Sequence, residues 1–189
     1  MTDDDLVARA REGDTDAFGE LVDRHRSAVY RVARAALPMQ ADAEDAAQDA
    51  FVLAYRRLGT FRGEASFKTW LLTITWRQAI NRRRSLSGWW RRIRSDIDAA
   101  DPAIERPAGD PSPEAVVVTG ELNRAIRFEI RRLSPKLRDA LLLAHAGEHS
   151  YEEIAAMLGA PLGTIKWRIA EARRVIRLKL RERGLSDVG

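Results

Sequence analysis

The sequence has no cysteine, only three histidines and almost no segment with the alternating pattern of a β-strand. The absence of cysteine excludes disulfides and thiolate metal sites. His25, His145 and His149 are scattered and have no acidic residue at ligand spacing, so we expect neither a metal nor any other cofactor. Long apolar runs are also missing, since none reaches the roughly 18 residues that span a membrane. We therefore expect a cytoplasmic protein without membrane insertion.

Positive charge is present but unevenly distributed. Lys and Arg number 32 against 28 Asp and Glu, for a formal net charge of +4. Residues 65–95 contain eight basic and no acidic residues, and residues 166–183 contain eight more against Glu171 and Glu182. Such stripes are typical of a surface that neutralises phosphates, because each neutralised phosphate releases counterions and adds affinity. The alternative is that they are ordinary solvated helix faces.

Apolar residues recur at intervals of three and four along most of the chain, which predicts an all-helical protein. A first helix begins after Thr2 and ends near Gly13. A second is predicted for 15–37 and a third for 41–58, whose buried face would include Ala47 and Phe51. Ser66 can then cap a helix that runs towards an arginine cluster, and this helix completes a first domain over residues 1–85.

The periodicity fails between about residues 86 and 113, where four prolines accompany Asp and Gly. This composition predicts a flexible linker over 86–113, with a second small helical domain over 114–189. We expect the two domains to be separate and to move relative to each other unless a partner fixes them. The adjacent Trp89 and Trp90 should be buried against either the first domain or a partner, and the sequence does not show which.

The second domain has a local signature of a helix-turn-helix. Ser150 and Glu153 form a capping box, which predicts a helix start. This helix ends at Gly159, residues 160–163 form a short turn, and a last helix carries apolar residues at intervals of three and four. Two short helices joined by a tight turn containing glycine form the unit that inserts its second helix into a DNA major groove. An ordinary helical hairpin with basic residues on its surface is the alternative.

The outer face of the last helix carries long polar side chains that can reach base edges. Arg and Lys pair with guanine acceptors, Glu can accept from cytosine, and the later arginines suit phosphate. The predicted major-groove residues are Thr164, Lys166, Trp167, Arg168, Glu171, Arg173, Arg174 and Arg177.

Three segments together resemble a known family. SYEEIA at 150–155 and PLGTIK at 161–166 look like the C-terminal domain of extracytoplasmic-function (ECF) sigma factors, within the sigma-70 family. DAEDAAQDAF at 42–51 resembles the family's helix that docks on core RNA polymerase. FRGEASFKTWL at 61–71 resembles its promoter-opening segment. The resemblance covers about residues 15–85 and 118–182, in the family's order.

The resemblance implies a transcription initiation factor. Its first domain would bind the polymerase clamp and the −10 promoter element, its second the polymerase flap and the double-stranded −35 element, and an anti-sigma factor would control it. The residues implied for core polymerase are Asp42, Glu44, Asp45, Gln48 and Asp49, an acidic face that suits a protein partner and would repel DNA. Those implied for the −10 element and its unpaired strand are Phe61, Arg62, Lys68, Trp76, Arg77, Asn81, Arg82, Arg83 and Arg84, a mixture suited to stacking bases and holding a backbone.

The chain departs from the family pattern at several positions. Arg77 stands where the family commonly has Asn, Glu171 where it has a basic residue, and Trp167 where the residue is usually small. The preference for particular promoter sequences therefore cannot be transferred from the family to this chain.

Two other function classes compete with this interpretation. A helix-turn-helix regulator would need a ligand-sensing N-terminal domain, and the first half shows no cluster of polar groups suited to a small ligand. A nucleic-acid enzyme would need paired carboxylates with a metal, or a nucleophile with its base. Asp42, Glu44 and Asp45 are adjacent in sequence but would lie on a helix surface, where no metal cavity is evident, so we expect a protein that is not an enzyme.

Overall fold

In the computed structural model, the backbone is described for residues 1–93, 113–147 and 149–185, and the side chains for 1–85, 120–147 and 149–185. These parts of the chain form eight α-helices and one short 3-10 turn and contain no strand, which confirms the all-α prediction. The helices are α1 (Asp3–Arg11), α2 (Thr15–Ala36), α3 (Gln40–Arg57), α4 (Phe67–Ile93), α5 (Pro113–Arg132), α6 (Pro135–His145), α7 (Tyr151–Leu158) and α8 (Leu162–Glu182), and the 3-10 turn is Leu58–Thr60.

Local hydrogen bonds explain where the helices of the first domain begin. The Thr2 side chain accepts from the Asp5 backbone N–H at 3.2 Å, and the Asp5 carboxylate accepts from Thr2 in return. Ser66 Oγ accepts from the Thr69 backbone N–H at 3.1 Å, which confirms Ser66 as the cap of α4. Each cap satisfies an N–H that the first turn of a helix leaves without a partner.

Helix α4 is longer than the sequence predicted. The linker is predicted from residue 86, whereas the helical backbone of α4 continues to Ile93. Most of the predicted linker, residues 94–112, lies outside the described residues, as do the side chains of Trp89 and Trp90.

The first domain is a bundle in which α2, α3 and α4 pack against one another and α1 packs on α2. The face of α3 that points inward is made of small residues, which let the neighbouring helices approach closely; these are Ala43, Ala46, Ala50 and Ala54, all almost fully buried. The sequence placed Ala47 and Phe51 on this face, but both are only half-buried, and Ala46 takes the inward position instead.

The second domain places α8 against α5, α6 and α7. Leu133, Leu141 and Ile176 form a small buried cluster at this junction. Beside it, the Glu129 carboxylate is almost fully buried and lies 2.6 Å from Arg183, whose guanidinium also stacks over the Phe128 ring at 4.6 Å. Because a buried carboxylate is costly without a partner, this ion pair ties the end of α8 to α5.

The two domains are not separate in space, which corrects the expectation drawn from the linker composition. Helix α6 packs against α2, and α7 packs against α4. Buried side chains of the second domain, including Leu143 and Met157, belong to the same continuous apolar core as those of the first. A composition rich in proline predicts a connection without regular structure, but it carries no information on whether the connected helices have matching apolar faces.

Candidate nucleic-acid interface

The helix-turn-helix has the local geometry that the sequence predicts. The Ser150 backbone N–H donates to the Glu153 carboxylate at 2.8 Å, and the Glu153 backbone N–H donates to Ser150 Oγ at 3.1 Å, so the capping box is confirmed. Gly159 ends α7 in the left-handed conformation, with φ of 58°, where glycine has no steric penalty. The turn is two residues shorter than expected, because α8 already begins at Leu162 and Gly163 is helical.

Helix α8 has one buried and one exposed face. Ile165, Ile169 and Ala172 are almost fully buried against the rest of the domain. Of the predicted major-groove residues, Lys166, Trp167, Arg173, Arg174 and Arg177 are exposed, and Thr164, Arg168 and Glu171 are half-buried. The structure therefore places five of these eight residues on the open face of the helix and three at its edges.

One predicted base contact on α8 already has a partner. Both carboxylate oxygens of Glu171 accept from the Arg174 guanidinium at 2.8 Å, and this bond lowers the pKa of Glu171. The pair lies at a spacing of three residues, where side chains on a helix meet. Glu171 is thus engaged with Arg174 rather than held free to accept from cytosine.

The acidic face of α3 is largely open to solvent. Glu44, Asp45, Gln48 and Asp49 are exposed, and Asp42 is half-buried. Two apolar side chains share this open side of the helix, Val52 at 46% and Tyr55 at 44% exposure. The sequence analysis missed both, although their spacing from Gln48 and Asp45 places them on the same side.

Arg82 connects this acidic face to α4. Its guanidinium lies 3.1 Å from the Asp42 carboxylate and 2.7 Å from the Asp45 carboxylate. The sequence assigned Arg82 to single-stranded DNA and the two acids to polymerase. The structure instead joins them in one ion-pair network between α3 and α4.

Two aromatic residues that were predicted to contact DNA are core residues. Trp76 is only 3% and Phe61 only 7% exposed. The Phe61 ring packs against Trp70 and Phe67, with ring centroids 5.3 and 5.9 Å away, and its carbonyl accepts from Arg11. Their assignment to the unpaired strand is wrong for this arrangement, because neither ring has a free face on which a base could stack.

The remaining residues predicted for the −10 element lie at the surface of α4 and of the loop before it. Arg62, Arg77, Asn81 and Arg84 are exposed. Among the described residues, no group of three or more His, Cys, Asp or Glu side chains has a geometry that could hold a metal ion. No described helix is long and apolar enough to cross a membrane.

Comparison with known proteins identifies the family. The sequence models of Sigma-70 region 2 and of Sigma-70, region 4 match residues 21–93 and 123–176. The ECF RNA polymerase sigma-E factor of Escherichia coli is 35% identical over 182 residues, covering 93% of each chain. This chain belongs to the ECF sigma factors. The RNA polymerase sigma-H factor of Pseudomonas aeruginosa is also 35% identical, over 92% of this sigma factor and 91% of its own length. The resemblance seen in the three motifs is confirmed, and the family is one of non-catalytic transcription initiation factors.

Solved structures share the fold of the sigma factor. CnrH, in complex with the cytosolic domain of CnrY, has a TM-score of 0.61 at 25% identity, covering 94% of this chain and 96% of CnrH. The sigma factor RpoE of Bartonella quintana, in complex with the anti-sigma factor NepR, has a TM-score of 0.58 at 24% identity, covering 87% and 96%. At 24% identity, the likeness to RpoE is one of fold alone.

Two cations predicted to contact the −10 element are paired with acids of region 4. Arg83 lies 2.9 Å from the Asp139 carboxylate on α6, and Lys68 Nζ lies 3.7 Å from the Glu153 carboxylate on α7. The sequence analysis missed Asp139, because no local signal relates it to a residue 56 positions away. In this arrangement the sigma factor uses part of its region 2 basic surface to hold region 4.

His149 lies between the two regions. Both of its ring nitrogens are buried and have no hydrogen-bond partner among the described residues. Three charged side chains face it from the helices packed around it, Arg31 on α2, Lys68 on α4 and Glu153 on α7. Burial lowers the pKa of His149, with Lys68 and Arg31 lowering it further against the opposing effect of Glu153. The packed arrangement therefore favours the neutral imidazole.

We expect the contact between the regions to weaken as the pH falls. The pKa of His149 is lowered in the packed state, so the packed state binds fewer protons than the separated one, and stability present at neutral pH is lost as the pH drops below the usual pKa of 6.5. The chain has no cysteine, so dyes can be attached at Asp23→Cys and Ala170→Cys. Energy transfer between them should decrease in acid, and His149→Gln should remove this response. Equal pH dependence in both proteins would contradict the assignment to His149.

Proposed function

We propose that this sigma factor binds core RNA polymerase and directs it to specific promoters by recognising the −10 and −35 elements and helping to open the DNA. The observation that carries the proposal is the arrangement of α8, with an apolar stripe buried at Ile165 and Ile169 and a basic face open to solvent. Helix α8 follows α7, which is capped at its start and ends sharply, as in helix-turn-helix units that insert their second helix into the major groove.

Region 4 would bind the −35 element through α8. Lys166 and Arg173 are exposed within the first four turns, where an inserted helix can meet base edges, whereas Arg177 lies further along, towards the phosphates. Lys166, Arg173 and Arg177 are exposed in the packed arrangement, so this face of α8 is open to solvent even when the two regions are packed together.

Region 2 would bind the −10 element through α4 and the loop before it. Arg62, Arg77, Asn81 and Arg84 offer a polar and basic surface that can hold a nucleic-acid backbone. Lys68 and Arg83 join this surface when region 4 moves away and releases them from Glu153 and Asp139. Binding of the −10 strand and packing of the two regions would therefore compete for the same cations.

The open side of α3 would bind the polymerase clamp. Its carboxylates disfavour DNA, and Val52 and Tyr55 add apolar area of the kind found near the centre of protein interfaces. Region 4 would contact the polymerase flap, as the family membership implies.

The remaining features of the proposal follow from the family. An anti-sigma factor would control the protein, which would act in the cytoplasm with RNA polymerase and without enzymatic activity of its own. We place the division between region 2 and region 4 in the segment between Ile93 and Pro113, close to the predicted domains 1–85 and 114–189. A helix-turn-helix regulator that does not act as a sigma subunit is disfavoured, because residues 21–93 match region 2 and not a sensing domain.

A test compares an arginine near base edges with one near phosphates. In reconstituted holoenzyme, Arg173→Ala should cost about 1 to 3 kcal/mol of promoter affinity and flatten the preference at one upstream position. Arg177→Ala should weaken binding to all sequences alike. It should also reduce the slope of log affinity against log salt concentration by about one unit. Selection from DNA with a randomised −35 element, followed by titration in salt, measures both effects. Unchanged preference and affinity in both variants would show that α8 does not bind DNA.

A further inference from the structure

Trp167 is the feature of α8 that the family pattern does not explain. Its side chain is 61% exposed, more than any other large apolar side chain in the described residues except the terminal Met1. Exposing an indole to water costs free energy, and a partner that covers the ring in another state would offset this cost. The environment of Trp167 indicates what that partner is.

The orientation of Trp167 is set by its neighbours in the helix. Ile165 and Ile169, two positions before and after it, are almost fully buried, so with 3.6 residues per turn Trp167 points away from the core. Gly163 and Ala170, four positions before and three after it, lie on the same side and are too small to cover the indole. The ring therefore stands at the middle of the face that an inserted α8 would turn towards DNA.

The charges around the indole allow it to approach DNA. Glu171 is the acidic residue one turn away, and its carboxylate is held by Arg174 through two hydrogen bonds of 2.8 Å. Lys166 lies beside Trp167 in the sequence and is exposed. The face around the indole therefore carries no uncompensated negative charge that would repel phosphates.

The major groove offers one apolar group at the base edges, the 5-methyl group of thymine. We propose that Trp167 contacts a thymine methyl in the −35 element and makes the sigma factor prefer thymine at that base pair. This inference rests on the proposed function of α8. It assigns to Trp167 a preference for the methyl itself, whereas the polar residues around it can read only the O4 acceptor of thymine.

The methyl contact can be tested by removing the methyl group from the DNA alone. Holoenzymes with wild-type sigma factor and with Trp167→Ala first select sequences from a randomised −35 element, which locates thymines preferred only by the wild type. Each such thymine is then replaced by uracil, which differs only in lacking the methyl. Wild-type affinity should fall about three- to fivefold, the scale of burying one methyl group, and Trp167→Ala should bind both duplexes equally.

Two further comparisons separate the contact from a general loss of binding. DNA with 5-methylcytosine at the same position should bind the wild type more tightly than DNA with cytosine, because the methyl group is present again without the acceptor of thymine. Trp167→Leu should keep part of the preference for the methyl, and Trp167→Gln should lose it. Both variants change an exposed residue, and their circular dichroism should match the wild type.

The possible results distinguish this inference from the proposed function. If wild type selects a −35 sequence but binds thymine and uracil equally at every position, Trp167 does not contact a methyl and only the inference fails. If Trp167→Ala weakens binding to all sequences alike, the indole packs on the sugar-phosphate wall. This result also overturns the inference. If wild type selects no upstream sequence, the proposed function of α8 fails as well.

Discussion

Replacing Asp45 and Asp49 together with lysine is expected to abolish binding of the sigma factor to core RNA polymerase, with a loss of affinity of at least about a hundredfold. Both carboxylates are exposed on the open side of α3, where they can face a basic partner, and Asp45 is in addition paired with Arg82. Charge reversal replaces two attractions with two repulsions, and close charge pairs at protein interfaces have large coupling energies. Gel filtration with core polymerase, and competition against labelled wild type, measure the loss.

Two controls are needed for this double substitution. Asp45 also holds Arg82 at 2.7 Å, so Arg82→Gln breaks the same ion pair while leaving the acids in place, and it should retain most of the affinity. Glu12→Lys with Asp23→Lys makes the same change in net charge on exposed residues of the same domain and should bind normally. Normal elution of the Asp45 and Asp49 double variant with polymerase would exclude this face as the docking surface.

Trp76→Ala is expected to destabilise the sigma factor by about 3 to 5 kcal/mol, the usual cost of deleting a large aromatic side chain from a core. The indole is 3% exposed on the inner face of α4, so its removal leaves a cavity that the surrounding helices fill only in part. Unfolding in urea, followed by circular dichroism, measures the change. Trp76→Phe should recover much of the loss, because it keeps most of the apolar volume.

Trp167→Ala is the matched control, since it makes the same chemical change at a residue that is 61% exposed. Its free energy of unfolding should remain within about 0.5 kcal/mol of the wild type, as is usual for surface substitutions. Equal stability of the two alanine variants would mean that Trp76 is not a core residue, and the original prediction of a DNA contact would have to be reconsidered.

Structural features that depend on only a few neighbouring residues were predicted well from the sequence. The cap at Ser66, the capping box between Ser150 and Glu153 and the chain reversal at Gly159 all depend on hydrogen bonds or backbone angles within three or four positions. The buried stripe of α8 could also be predicted from the sequence, because a period of 3.6 residues identifies which side of a helix is apolar. The candidate major-groove residues followed from that stripe by taking its opposite side.

Errors arose where a side chain or a helix face suits more than one environment. Phe61 and Trp76 carry side chains that suit both a core and a stacked base, and only the packing of α4 and of the loop before it against the neighbouring helices shows that they are core. The same ambiguity affected α3, where alanines occupy adjacent positions and the sequence alone did not show which of them face α2 and α4.

The sequence by itself determined the helical class, the two-part division, the caps and the buried stripe of α8, because these follow from composition and spacing along the chain. The tertiary structure alone decided that the two regions pack together and that Arg83 and Lys68 are paired with Asp139 and Glu153 rather than free for DNA. These partners lie tens of residues apart, and no periodic pattern relates them. An ion pair between helices depends on how their apolar faces meet, and that is a property of the assembled core.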